Sequence, residues 1–160
     1  MQVNDPQKNL AAALGRVPSG IFVVTVGGSG ETGMLASWVQ QCSFKPPMVS
    51  FAAQRGRAIT ERLTAGMVFT INILESAQTD MIAHFGKGFA PGEPAFTDLD
   101  IERAPPHGPI LREALAYLHA TVLECVPAGD HDLYLAEVTA GGLLDEGQPM
   151  VHIRKNGLHY

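Results

Sequence analysis

The stretch Pro18–Ala58 constrains the fold of this chain more than any other. A β-branched apolar run, Ile21-Phe22-Val23-Val24-Thr25-Val26, ends at a glycine cluster, Gly27-Gly28-Ser29-Gly30. A second element over Met34–Phe44 is stopped by Pro46-Pro47, and a third apolar run, Met48–Ala53, leads into Gln54-Arg55-Gly56-Arg57. Extended run, glycine turn, second element, extended run and basic loop together suit a phosphate-bearing cofactor. The kind of site depends on whether 34–44 is strand or helix. Gly28-x-Gly30-x-x-Gly33 has the spacing of a dinucleotide fingerprint, which needs a following helix and an acidic residue about 20 positions on. Ser37, Trp38, Val39, Cys42, Ser43 and Phe44 are poor helix formers, and the third run closes on Gln54-Arg55 instead of an acid. The glycines therefore read as a hairpin turn that needs positive φ. A small NADP-binding Rossmann domain built on Gly28, Gly30, Gly33 and Arg55 is the rival.

Further along, Asp5-Pro6 starts a helix whose Leu10, Ala13, Leu14 and Val17 form an apolar stripe suited to closing one end of a core. Strands are expected over 20–27, 33–43, 48–54 and 67–74. Between them, 57–64 reads as a short helix with Ile59 and Leu63 inward and Gly66 as its stop. A second helix runs from a Ser76 cap to Phe85, with Ala77, Met81, Ile82 and Phe85 inward. Residues 86–109 form a Gly- and Pro-rich loop, long enough to suggest a functional or interface role. From Ala114 the pattern is β: a long strand covered on both faces, then Leu133–Val138 and Met150–Arg154. Without a βαβ rhythm after residue 60, the architecture is mainly β with short helices, an antiparallel barrel in place of a doubly wound sheet.

At 160 residues the chain reads as one domain, 1–160. Hydrophobic residues make up 46% and charged residues 17%, a thinly charged surface that suits a partner protomer. The net charge of −5 argues against nucleic acid, and no apolar run reaches the roughly 20 residues of a membrane span. The first residues lack the basic and apolar regions of a signal peptide, and Cys42 and Cys125 read as reduced, inert thiols on apolar strands. A cytoplasmic protein is expected. Histidines 84, 107, 119, 152 and 159 lack ligand spacing, so no metal is expected.

The run PSGIFVVTV…GMLASWVQQCSFKPPMVSFAAQ resembles the opening of the flavin reductase-like, FMN-binding split-barrel family. Within it the pattern is similar to the flavin-reductase module of diflavin flavoproteins and to flavoredoxins. His84-Phe85-Gly86-Lys87, Gly129-Asp130-His131 and Val151-His152-Ile153-Arg154 continue the resemblance, which covers about Leu10 to Tyr160. It implies a Greek-key split β-barrel, paired as a homodimer, that binds FMN (or FAD) and takes hydride from NADPH or NADH. Carried over by position, Ser37, Trp38, Val39 and Gln40 would face the flavin ring and ribityl tail. Ala53, Gln54, Arg55, Arg57 and Ala58 would follow the tail and phosphate, with Lys87 nearby. His131 would contact nicotinamide or carry a proton, and Arg154 and Tyr160 would lie near the dimer contact. Ala58 departs from the family, where Ser or Thr often donates to the phosphate; Thr60 or the arginines are the substitutes on offer. The resemblance also admits a non-catalytic electron carrier served by a separate redox partner protein, or a barrel that has lost its flavin.

Overall fold

The computed structural model describes residues 5–160. Asp5 caps helix α1 (Pro6–Gly15) by accepting from the Gln7 and Lys8 amides at 3.0 and 3.4 Å. The apolar stripe of α1 does not close the core. Leu10, Leu14 and Val17 are exposed, and the helix meets the rest of the chain through backbone: Arg154 and Gly157 amides donate to the Gly15 and Ala11 carbonyls.

After the short strand β1 (Ser19–Gly20), β2 (Phe22–Val26) and β3 (Thr32–Ala36) form a hairpin. Its turn places Gly28 and Gly30 at φ 81° and 73°, in the left-handed region that favours glycine. Arg62 braces the turn by donating to the Gly27 and Gly30 carbonyls at 2.6 Å each. Gly33 lies inside β3 and no helix follows, so the Rossmann reading fails on local geometry.

The expected strand 33–43 is two strands. β3 ends at Ala36, and β4 (Val39–Phe44) begins after the Ser37-Trp38 link, then pairs with β5 (Pro47–Gln54). The expected helix at 57–64 is a single 3-10 turn, Thr60–Arg62, although Ile59 and Leu63 are buried as anticipated. β6 (Val68–Ile73) follows, then α2 (Thr79–Gly86). Ser76 does not cap α2: its hydroxyl donates to Glu75 instead, and Gln78 stands at the cap position. The long loop contains one short strand, β7 (Ile101–Glu102), which pairs with β8 (Ile110–Leu111). Two long strands, β9 (Ala116–Ala128) and β10 (His131–Leu143), form a hairpin turned by Gly129 at φ 64°. β11 (Val151–His152) pairs with β1. β9 is covered as expected up to Val122; beyond it residues 123–128 are exposed, Cys125 among them, and Cys42 is exposed on β4.

Seven strands form one antiparallel sheet in the order β3-β2-β6-β9-β10-β5-β4. The sheet curls around one core: Val24, Phe51, Phe69, Ile71, Val122 and Tyr134, from five of the strands, belong to the same buried cluster. Its two edges, β3 and β4, are consecutive in the chain and are not paired with each other. The barrel is therefore split along a seam that the chain crosses at Ser37-Trp38. A second cluster, including Val23, Leu74, Met81, Phe85 and Phe96, packs α2 and the 89–101 loop onto the outside.

Buried polar side chains pin the 107–111 segment to the outer face of β2 and β6. Thr25 and Thr70 donate to the Pro109 and Gly108 carbonyls, at 2.7 and 2.8 Å. Asn72 donates to the Val23 and Pro109 carbonyls and accepts from the Leu111 amide at 2.8 Å. Replacing Asn72 with Ala strands those partners, so a loss of about 2–4 kcal/mol in unfolding free energy is expected from urea denaturation.

His119 Nδ1 donates to Thr70 Oγ1 at 2.9 Å, because the Thr70 proton already serves Gly108, and its ring stacks on His107 at 4.0 Å. Burial, and then the neighbouring His107, push the His119 imidazole below its usual range. Its neutral form is thus favoured in the folded state. The associated stability is present above about pH 6.5 and is lost as pH falls through the folded value. Urea midpoints measured at pH 7.5 and pH 5 should show this loss, and His119→Gln should flatten it.

Candidate functional site

Three connected clefts run along the seam. The first, of about 370 Å³, is lined by Trp38, Gln54, Asp130, His131 and Arg154, with residues 157–160. A narrower one, about 130 Å³, lies between residues 34–37 and 52–54, and is closed by Phe85, Gly86 and Tyr160. Gln54 and Tyr160 belong to both. The widest, about 530 Å³, shares Met34 and Arg57 with the narrow cleft and continues past Ala58 to Lys87 and the 88–91 loop.

At one end, His131 begins β10 beside the left-handed turn of Gly129, which sets its side chain against Trp38 at 4.7 Å between rings. Its residue exposure is 6%. Nδ1 donates to Asp130 at 2.6 Å, and this hydrogen bond holds the Asp130 carboxyl below its usual range. A carboxylate can only accept, so the proton sits on Nδ1 and, in the neutral ring, Nε2 accepts from the Tyr160 hydroxyl at 2.9 Å. Packing of that hydroxyl against His131 pushes the Tyr160 phenol up by burial, while the residue as a whole is 75% exposed. Tyr160 therefore covers the site like a flap, with one face on Trp38 at 5.7 Å and the other in water. Arg154 lies over the Trp38 ring at 5.2 Å, a cation–π contact.

At the other end, two cations, Arg57 and Lys87, face a cleft that Glu61 and Glu93 also line. Arg57 touches Gln54 at 3.5 Å, and Lys87 sits over the Phe89 ring at 4.9 Å. Gly88, at φ 75°, brings bare backbone beside Arg57. Ala58 lines the cleft without a polar group, and the Thr60 hydroxyl is committed to the Arg57 carbonyl at 2.6 Å. Thr32 lines the same cleft.

Ser37, Trp38, Ala53, Gln54, Arg57, Ala58, Lys87 and His131 thus come together along one groove. Three residues expected there do not line it. Val39 packs on the barrel core, and Gln40 is exposed on β4. Arg55 is paired with Asp132 at 2.8 Å and donates to the His131 carbonyl, so it supports the turn from behind. Sequence reasoning missed Thr32, Met34 and Phe89, which reach the groove only through β-pairing and loop packing. Among the described residues no group of three or more His, Cys, Asp or Glu stands ready to hold a metal. No helix of the described residues is long and apolar enough to cross a membrane.

A flavin asks for an aromatic or apolar wall, polar edge contacts, cations or amides for phosphate, and shelter from water. The groove meets these in order: Trp38 and Ala53, then Ser37 and Gln54, then Arg57, Lys87 and Gly88, with Tyr160 as cover. The donor set fits the group.

The flavin reductase like domain matches residues 14–157. A putative diflavin flavoprotein A 3 of Synechocystis sp. (strain PCC 6803) is 42% identical over 150 residues, covering 92% of this chain and 25% of that protein. The chain spans about a quarter of the length of the curated relatives it matches. Among solved structures, the Streptomyces globisporus C-1027 NADH:FAD oxidoreductase SgcE6 superposes with a TM-score of 0.85 at 29% identity, covering 96% of this chain and 93% of that one. The same enzyme in complex with NAD and FAD fragments gives 0.82 at 28% identity, with the same coverage. By the extent of the family match and the identity to its relatives over nearly the whole chain, this chain belongs to the flavin reductase like domain family.

Proposed function

We propose that this chain is a single cytoplasmic domain that binds flavin, as FMN or FAD, and reduces it with NADPH or NADH while paired as a homodimer. One observation carries the reading: the Trp38–His131–Tyr160 corner opens through Gln54 into a groove that ends at Arg57 and Lys87. That is the layout of a stacked planar heterocycle with a phosphorylated tail.

A flavin held by these residues would supply the redox chemistry, acceptance of hydride from a reduced nicotinamide and release of the electrons to an acceptor. The protein's task is placement, since hydride transfer between two reactants held side by side needs little acid–base help. Ser37, Trp38, Ala53 and Gln54 orient the ring, Arg57 and Lys87 take the phosphate, and Arg55 steadies the His131 turn through Asp132. Asp130 keeps the His131 proton on Nδ1, leaving Nε2 free to meet an incoming donor once Tyr160 moves aside. Val39 and Gln40 back this wall from β4, and Ala58 leaves space beside the tail. Exposed Phe44 and Leu143, at 85% and 81%, support pairing with a second copy, and exposed unpaired Cys42 and Cys125 suit a reducing compartment.

Purified protein is expected to be yellow, or to become so with FMN, and its flavin absorbance should bleach anaerobically on adding NADPH or NADH. His131→Ala should slow bleaching at least about tenfold without loss of flavin. Yellow protein that fails to bleach with either nucleotide would return the electron-carrier reading, with a separate redox partner. Light scattering should give twice the chain mass.

A further inference from the structure

Thr32 opens β3 and lines the widest cleft together with Arg57, Ala58 and Lys87. It is 7% exposed, and its Oγ1 is the one buried side-chain polar atom among the described residues with no hydrogen-bond partner. The other buried polar side chains, Thr25, Thr70, Asn72, His119 and His131, are all bonded. A hydroxyl stripped of water without a partner is a standing loss for the folded chain, and such an atom needs a reason. Met34, two residues on and on the same strand face, lines the same cleft.

The missing partner and a missing donor coincide. Ala58 brings no hydroxyl to the cationic end of the groove, and the Thr60 hydroxyl is committed to backbone. We propose that Thr32 supplies the neutral hydroxyl donor for the flavin phosphate, completing from the neighbouring strand a clamp otherwise made of Arg57, Lys87 and the Gly88 backbone. The Thr32 χ1 angle has alternative staggered wells, so Oγ1 can be re-aimed without moving β3. Gly56 and Gly88, at φ 83° and 75°, keep two sides of the cleft clear of side chains. Two carboxylates line the same cleft, Glu61 and Glu93. Glu93 is turned to its own loop, accepting from the Ala90 amide at 2.7 Å, and the proposal assigns the phosphate to the Arg57 and Lys87 side, away from Glu61. A neutral hydroxyl there adds a hydrogen bond without a further cation.

This inference rests on the groove being a flavin site, and the test separates the two. Apo-protein is titrated with riboflavin, FMN and FAD, following the quenching of flavin fluorescence and of Trp38, the only tryptophan. Thr32→Val removes the hydroxyl while keeping the shape. It should weaken FMN about tenfold or more and leave riboflavin unchanged, while Thr32→Ser stays near wild type. Ala58→Thr added to Thr32→Val should recover FMN binding. A parallel loss for FAD places the hydroxyl on the phosphate common to both, and loss for FMN alone places it on a terminal phosphate. Apo Thr32→Val should be at least as stable to urea as wild type, because an unsatisfied group has gone. Equal losses for riboflavin and FMN, or no loss for either FMN or FAD, would overturn the role of Thr32. Failure of wild type to bind any of the three would overturn the flavin reading and this inference together.

Discussion

Everything functional in this molecule depends on the crossing at Ser37-Trp38. There the chain leaves one edge of a seven-stranded sheet and joins the other. Backbone groups at an unpaired edge need partners, and the link finds one where the Ala52 amide donates to the Trp38 carbonyl at 3.0 Å. That bond anchors the crossing to β5 without zipping β3 to β4. The barrel is held nearly closed and yet open along one line, and the clefts lie along that line. A fully paired barrel has no free edges and so no such seam.

Polarity is distributed to match. Inside the barrel the contacts are apolar, with Phe51, Phe69 and Tyr134 in aromatic contact at 5.7–6.3 Å. Burial raises the Tyr134 phenol to about 12, so it serves as a neutral packing group. Outside the barrel, Thr25, Thr70, Asn72 and His119 form a bonded network that fastens a loop with little regular structure of its own. Such networks fix one arrangement because each unmade bond is costly. The loop then carries Lys87 to Pro91 to the groove from α2 without a strand to guide it.

Much of this was legible in the residues. The Ile21–Val26 run, the glycine turn and the strand-forming character of 34–44 named the β architecture, and the family resemblance, carried over by position, pointed to Trp38, Gln54, Arg57 and His131, which lie along one groove. Other features were not local properties. Nothing between Met34 and Phe44 announces a break, because the break serves an edge-to-edge crossing that exists only in three dimensions. The stripe of α1 obeyed helical periodicity yet stayed exposed, since periodicity marks a face and says nothing of what covers it. Arg55 looked like a phosphate ligand until its partner Asp132, 77 positions further on, arrived from β10. Thr32 gave no signal at all, because an unpartnered hydroxyl is recognised only after every neighbour has been placed.

The outer half of the β9–β10 hairpin has a consequence for assembly. β6 pairs with β9 only up to Thr121, so the edge of β9 from Leu123 to Ala128 carries no neighbouring strand. A bare edge of that kind is a template for adding strands from other molecules. Here the edge is interrupted twice: Leu123 bulges out of the ladder, and Pro127 lacks an amide proton. Strand-by-strand growth is thereby blocked at the place where it would be easiest. A contact between copies at this edge would have to run through side chains, because the backbone there offers no continuous ladder to share.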